Sequence, residues 1–135
     1  GICLGMQKLV TASEEFGLHE GLNLIPGREK AIVAHDQSGA AMKVPHIGWS
    51  RLEQPPARTT WQKTILDGLN GDTTAYFVHS FTVVPDIESD RLADAAYGDC
   101  RISAAIQRDN VAGCQFHPEK SASIGLQIVK NFLEL

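Results

Sequence analysis

The chain has 135 residues, 43% hydrophobic and 21% charged, which is enough apolar material for one ordinary core and too much for a disordered segment. A formal charge of -4 without any Lys/Arg run argues against a nucleic-acid surface, and no apolar stretch approaches the ~20 residues that span a bilayer. The cysteines, Cys3, Cys100 and Cys114, lack the number and spacing of a disulfide framework or a zinc site and point to a reducing, cytoplasmic setting.

Gly1-Ile2-Cys3-Leu4-Gly5-Met6-Gln7 opens the chain. G-x-C-x-G is the cysteine form of a nucleophile elbow, a strand-to-helix turn that wants nearly side-chain-free residues two before and two after the nucleophile. The turn exposes the thiol at a helix start, where free N–H groups and the helix dipole favour the thiolate. Because Gly1 stands only two residues before Cys3, the strand that an elbow terminates is almost wholly outside the sequence. Residues 1–135 therefore read as the C-terminal portion of a single domain, incomplete at its N-terminus.

Met6, Leu9, Val10 and Phe16 recur at helical spacing and predict a helix from Leu4 to Phe16, closed by Gly17. Leu22–Ile25 and Ala31–Ala34 read as short strands around Pro26-Gly27, and Asp36–Gly39 as a hairpin turn. Met42–Leu52 continues extended, with Pro45 suited to an edge strand or bulge. Trp61–Leu69 reads as a short helix. Ala75–Val84 is the strongest strand, apolar on both faces as for a strand covered on both sides, and Pro85 stops it. Leu92–Tyr97, Ile102–Gln107 and Val111–Phe116 are further strands. Ile124, Ile128, Val129, Phe132 and Leu133 form the stripe of a closing helix, Ile124 to Leu133, which Ser121 or Ser123 can cap. With no repeat or linker, the whole is one α/β unit.

A thiolate nucleophile needs a base, and the base needs a third group to fix its tautomer. His117-Pro118-Glu119, directly after the last strand, supplies both. The backbone N–H of Leu4, the residue after the nucleophile, is one donor to the oxyanion such chemistry forms. Of the other histidines, His79 in its apolar strand reads as a packed core residue, His46 as core or interface, and His19 and His35 as surface residues. Cys114 reads as a buried thiol and Cys100 as a loop thiol; Trp49 suits a core or an interface equally.

Four ordered motifs together, Gly1–Gln7, Val44-Pro45-His46-Ile47-Gly48-Trp49, Tyr76-Phe77-Val78-His79-Ser80-Phe81 and Gly113-Cys114-Gln115-Phe116-His117-Pro118-Glu119-Lys120-Ser121, resemble the class I glutamine amidotransferases. More narrowly, they resemble the glutaminase subunits of imidazole glycerol phosphate synthase in histidine biosynthesis. The resemblance implies an α/β fold, a flavodoxin-like three-layer sandwich, and hydrolysis of L-glutamine to glutamate and ammonia without cofactor or metal. The ammonia passes to a cyclase partner, a (β/α)8 barrel, in a heterodimer. It further implies Cys3, His117 and Glu119 as triad, Leu4 at the oxyanion, Gln7 as a glutamine contact, and Ser80 and Phe81 as backbone contacts to the substrate. Pro45, His46, Ile47, Trp49 and Lys120 would face the cyclase. The glycine-rich loop that gives the second oxyanion donor in that family has no counterpart in these residues, and Ser50 stands where the histidine-pathway enzymes usually carry Asn. Three alternatives stay open: a paralogue feeding a sugar amidotransferase, a γ-glutamyl hydrolase on the same fold, and a non-enzymatic assembly module.

Overall fold

A computed structural model describes residues 1–135. Two helices, α1 (Leu4–Gln7) and α2 (Ala122–Glu134), accompany nine strands. These are β1 (Ala12–Ser13), β2 (His19–Glu20), β3 (Gly27–Ala31), β4 (His46–Arg51), β5 (Thr74–His79), β6 (Phe81–Pro85), β7 (Arg91–Tyr97), β8 (Cys100–Arg108) and β9 (Val111–Cys114). They form a sheet of order β2-β1-β3-β6, a β4-β5 pair and a sheet of order β7-β8-β9. The α/β class holds, with far more strand than helix. No helix is long and apolar enough to cross a membrane.

The first predicted helix stops after one turn. The Leu9 and Val10 carbonyls accept N–H groups from Asn23, Leu24 and Ile25, and Thr11 N–H goes to the Gly27 carbonyl, so the chain leaves the helix and enters β1 beside β3. The same bonds explain why 22–25 is irregular: its N–H groups follow the α1 exit instead of a ladder, and Asn23 sits at a left-handed φ of 52°. The predicted Trp61–Leu69 helix is a knot of turns. Thr60, Thr64, Asp67 and Gln107 side chains take the N–H groups of Gln62, Leu66, Lys63 and Ile65, the local competition by which such residues displace a helix. Its apolar residues are nevertheless core: Trp61, Ile65 and Leu66 are buried, and Trp61 Nε1 donates to the Leu92 carbonyl.

Ala75–Val84 is two strands. At Ser80 the chain leaves β4, which pairs β5 as His46↔His79 through Arg51↔Thr74, and joins β3 through β6. Pro45 stands one residue before β4 and so interrupts no ladder. The Asp36–Gly39 turn forms as expected, with Gly39 N–H on the Asp36 carbonyl and His35 bridged to Ala41.

The largest apolar cluster gathers Leu52, Trp61, Phe77, Leu92, Ile102, Phe116 and their neighbours from all parts of the chain. Met6, Val10, Ile25, Val83 and Ile106 make a second, smaller one. Of the stripe predicted for α2 only Ile128 is fully buried; Val129, Phe132 and Leu133 are exposed. The helix is seated instead through Gly125, whose Cα meets the Pro118 carbonyl so closely that a Cβ would collide with that oxygen, and through Asn131 Nδ2, which donates to the Ile65 and Asp67 carbonyls. Ser121 does not cap it, having other partners.

Candidate active site

Ile2 pairs in parallel with Cys114 of β9, with Cys3 N–H on the Cys114 carbonyl at 2.8 Å and Cys114 N–H on the Gly1 carbonyl at 2.9 Å. Cys3 thus caps a strand end beside β9 and starts α1 in the same residue. Its φ of 49° and ψ of -112° are unfavourable for any residue with a Cβ, and they persist because Met6 and Gln7 N–H groups hold its carbonyl in the first helical turn. A Cβ on Gly1 would lie 2.5 Å from the Gly5 carbonyl atoms, so glycine is obligatory there. Gly5 faces open space, so the sequence argument for glycine applies to one side of the elbow only. Cys3 is half-buried, and Leu4 N–H, the first of the helix, has no intrahelical acceptor. With α1 only one turn long, the local N–H groups matter more than any accumulated dipole.

His117 follows β9. Its ring Nδ1 lies 2.7 Å from Glu119 Oε1, while Nε2 is buried without a partner. A carboxylate can only accept, so Nδ1 carries a proton, and in the neutral ring Nε2 presents its lone pair. Against the upward pull of burial, the hydrogen bond from His117 holds the Glu119 carboxyl below its ordinary value. Three bonds clamp the His117 backbone: its N–H donates to the Tyr76 carbonyl, and its carbonyl accepts from the Ser121 hydroxyl at 2.6 Å and from Lys120 N–H at 3.0 Å; Tyr76 N–H in turn donates to Ser121 Oγ. Ser121, fully buried, is a residue whose role the sequence did not suggest. Cys3 and His117 therefore project from adjacent chain ends, but no hydrogen bond joins them. The sulfur instead has Gln115 Nε2 at 3.8 Å and the Val78 carbonyl at 4.0 Å.

Gln115 is the other residue that sequence reasoning passed over, although it lies inside a quoted motif. Wholly buried on the chain between β9 and His117, it accepts from Gln7 Nε2 through Oε1 at 3.2 Å. Gln7 Nε2 also donates to the Phe81 carbonyl at 3.4 Å. A glutamine between an apolar strand and the candidate base was the available signal, since a carboxamide is interior only when its donors and acceptor are used.

The Phe81 carbonyl has a second donor, His79 Nδ1, at 2.6 Å. His79 Nε2 lies 2.9 Å from His46 Nδ1, and His46 Nε2 lies 2.9 Å from Ser50 Oγ. Burial drives the His79 pKa down from 6.5 to about 4, with smaller downward contributions from His46 and His117, and burial also lowers that of His46. Both rings are neutral at pH 7. The Phe81 carbonyl can only accept, which fixes every proton along the row: Ser50 donates to His46, His46 to His79, and His79 to Phe81.

Ile47 and Trp49 on β4 are each 55% exposed, Pro45 is half-buried and Lys120 is exposed. His46, at 2% exposure, points inward and cannot share their face. Ser80 and Phe81 are half-buried at the β5–β6 junction, and the Ser80 carbonyl accepts Ile32 N–H. His79 is a core histidine as expected, His19 lies exposed on β2, and His35 pairs with Asp99 at the surface. Cys114 is buried, its pKa pushed up to about 12 by desolvation; Cys100 begins β8 instead of lying in a loop.

A family model described as glutamine amidotransferase class-I matches residues 1–135. The chain is 46% identical over 135 residues to imidazole glycerol phosphate synthase subunit HisH 1 of Legionella pneumophila (strain Paris), covering 100% of this chain and 63% of that protein. To the HisH subunit of Syntrophotalea carbinolica it is 50% identical over 134 residues, covering 98% of this chain and 62% of the relative. It thus spans less than two thirds of these relatives. Among solved structures, a protein from Thermoplasma acidophilum named for a component of GMP synthase superposes with a TM-score of 0.58 at 20% identity, over 99% of this chain and 54% of that one. That likeness shows the shared fold, and with the family match it places this chain among the class I glutamine amidotransferases.

Proposed function

We propose that this chain carries the thiol, base and orienter of a glutaminase, releasing ammonia from L-glutamine for a partner enzyme. The observation that carries the reading is His117: Nδ1–H bound to Glu119 at 2.7 Å, and Nε2 buried, unpartnered and next to the strand end that bears Cys3. That lone pair takes the Cys3 thiol proton as sulfur attacks the carboxamide carbon. The carbonyl oxygen becomes an oxyanion and meets Leu4 N–H. When the C–N bond breaks, His117 Nε2–H protonates the leaving nitrogen and ammonia departs, leaving a γ-glutamyl thioester on Cys3. Water then gives its proton to His117 and its hydroxide to the thioester; collapse expels the thiolate, which recovers the proton, and glutamate leaves. Glu119 keeps the ring in one tautomer throughout.

Gln7, Ser80 and Phe81 would line the amino-acid end of the substrate. Ile47, Trp49, Pro45 and Lys120 would form the face toward a cyclase built as a (β/α)8 barrel, because exposed large apolar side chains on one strand are the pattern of a binding surface. The relatives named as subunits of imidazole glycerol phosphate synthase favour this partner over a sugar amidotransferase or a free γ-glutamyl hydrolase. A glutamine analogue carrying an electrophilic carbon in place of the carboxamide tests the reading. It should attach to Cys3 alone, and His117→Asn should slow attachment by about 10²-fold or more; labelling of Cys100 or Cys114 in preference to Cys3 would refute it.

A further inference from the structure

The sulfur of Cys3 has one side-chain hydrogen-bond donor, and it is not a member of the triad. Gln115 Nε2 stands 3.8 Å from Sγ, within the longer reach of a sulfur acceptor. Which end of a carboxamide faces a thiol decides its effect: the amino group stabilises a thiolate and the oxygen repels it. The orientation here follows from the surroundings. Gln7 Nε2 lies between two acceptors, the Phe81 carbonyl and Gln115 Oε1, and the backbone carbonyl admits only a donor. So Gln7 presents its amino group to Gln115, Gln115 presents its oxygen to Gln7, and the amino group of Gln115 is left for the sulfur. The Phe81 carbonyl that sets this direction also accepts from His79 Nδ1, and so orders the His79, His46 and Ser50 row behind it.

We propose that Gln115 is a positioning residue for the Cys3 nucleophile, oriented by Gln7 and the Phe81 carbonyl so that its amino group stabilises the thiolate as the thiol proton is lost. It acts through Cys3 and needs no contact with substrate. The proposal rests on the glutaminase reading for its purpose, but not for its geometry. On the elements that carry these contacts the other titratable groups are Cys114 on β9, His117, Glu119 and Lys120 beyond it, and Tyr76 and His79 on β5; none of them hydrogen-bonds the sulfur. Gln115 is therefore the side chain whose removal should alter the thiol most directly while leaving the His117–Glu119 pair in place.

The test is alkylation of Cys3 by iodoacetamide in the full-length protein, followed by mass spectrometry of the Cys3 peptide from pH 6 to 10. Gln115→Leu keeps the volume and removes the donor. It should slow the reaction at pH 7 roughly tenfold, the effect of losing one hydrogen bond to an anion, and the deficit should close near pH 10 where any thiol is ionised. Gln7→Glu leaves Gln115 intact but offers it only an acceptor; the Gln115 amide should turn round, place its oxygen against the sulfur and slow alkylation in the same way. If Gln115→Leu fails to fold, Gln115→Met, which also lacks a donor, decides in its place, because the carboxylate of Gln7→Glu disfavours a thiolate by its own charge as well. Rates within twofold of wild type in the folded variants would overturn the proposal. Glutamate release separates the two readings: an unchanged thiol with intact hydrolysis rejects the role of Gln115 and spares the glutaminase. A slowed thiol in a protein whose wild type hydrolyses no glutamine does the reverse.

Discussion

His46 Nδ1 and His79 Nε2 meet at 2.9 Å in the interior, joining the first residue of β4 to the last of β5 directly beneath the β5–β6 junction. The pair works only while His79 is neutral, because a second proton would take away the acceptor that His46 requires.

From that requirement comes a pH dependence. The His79 pKa falls from 6.5 to about 4 on folding, so its contribution to stability is fully present above 6.5 and is lost as pH falls toward 4. About 2–3 kcal/mol should disappear between pH 7 and 4.5 from this group alone. Chemical denaturation of wild type and His79→Gln at the two pH values measures it: the variant should be less stable at pH 7 yet lose less on acidification. Parallel curves would show that the ring titrates normally.

Glu29 behaves oppositely. It is buried on β3 with Oε1 unpartnered, and burial raises its carboxyl above the ordinary value against a smaller lowering influence of the nearby Ser13 hydroxyl. Its ionisation costs the folded state nothing below the ordinary value and increasingly as pH rises through the folded one. Glu29→Gln should raise the melting temperature at pH 7 and leave it unchanged near pH 3.5. A lower melting temperature at pH 7 would mean the carboxylate has a partner that this account lacks.

Asp94 joins two arginines: Arg91 Nη1 at 2.9 Å, itself buried, and Arg101 Nε at 2.6 Å, while its backbone bridges Glu53. Removing the carboxylate leaves the buried Arg91 only the half-exposed Glu88, 3.6 Å from its Nε. Asp94→Ala should cost about 3–5 kcal/mol, whereas the exposed Lys130–Glu134 pair at 3.9 Å should be worth less than 1. Equal melting temperatures for Asp94→Ala and Lys130→Ala would contradict the ranking.

A Gly→Ala change inside a helix ordinarily stabilises by up to about 1 kcal/mol. At Gly125 the sign reverses, because the new methyl would meet the Pro118 carbonyl and lift α2 from the turn that carries Glu119. Gly125→Ala should destabilise by roughly 2–3 kcal/mol and reduce glutamine turnover along with stability. A stabilised variant would show that α2 does not sit against that turn.

The fold class and the residues of the candidate site were legible; the element boundaries were less so. Gly1, Cys3, His117 and Glu119 announce themselves because an elbow and an oriented base need particular residue types at fixed spacing, and the backbone at Cys3 and the His117–Glu119 bond match that need. The boundaries of α1 and the Trp61–Leu69 segment were not legible. Their helical periodicity is real burial, but Thr, Asp and Gln side chains and a distant strand take the N–H groups a helix would use. Long-range competition of that kind leaves no local pattern. Gln115 was hidden for a related reason: its partners, Gln7 and Cys3, lie more than a hundred residues away.

The most direct test of the central claim is glutamate release from glutamine by the full-length protein together with the proposed cyclase partner, comparing wild type with Cys3→Ala. Wild type should release glutamate and ammonia in equal amounts, and Cys3→Ala should reduce both by at least about 10³-fold while leaving the complex assembled. Glutamine-dependent turnover that survives Cys3→Ala would contradict the account.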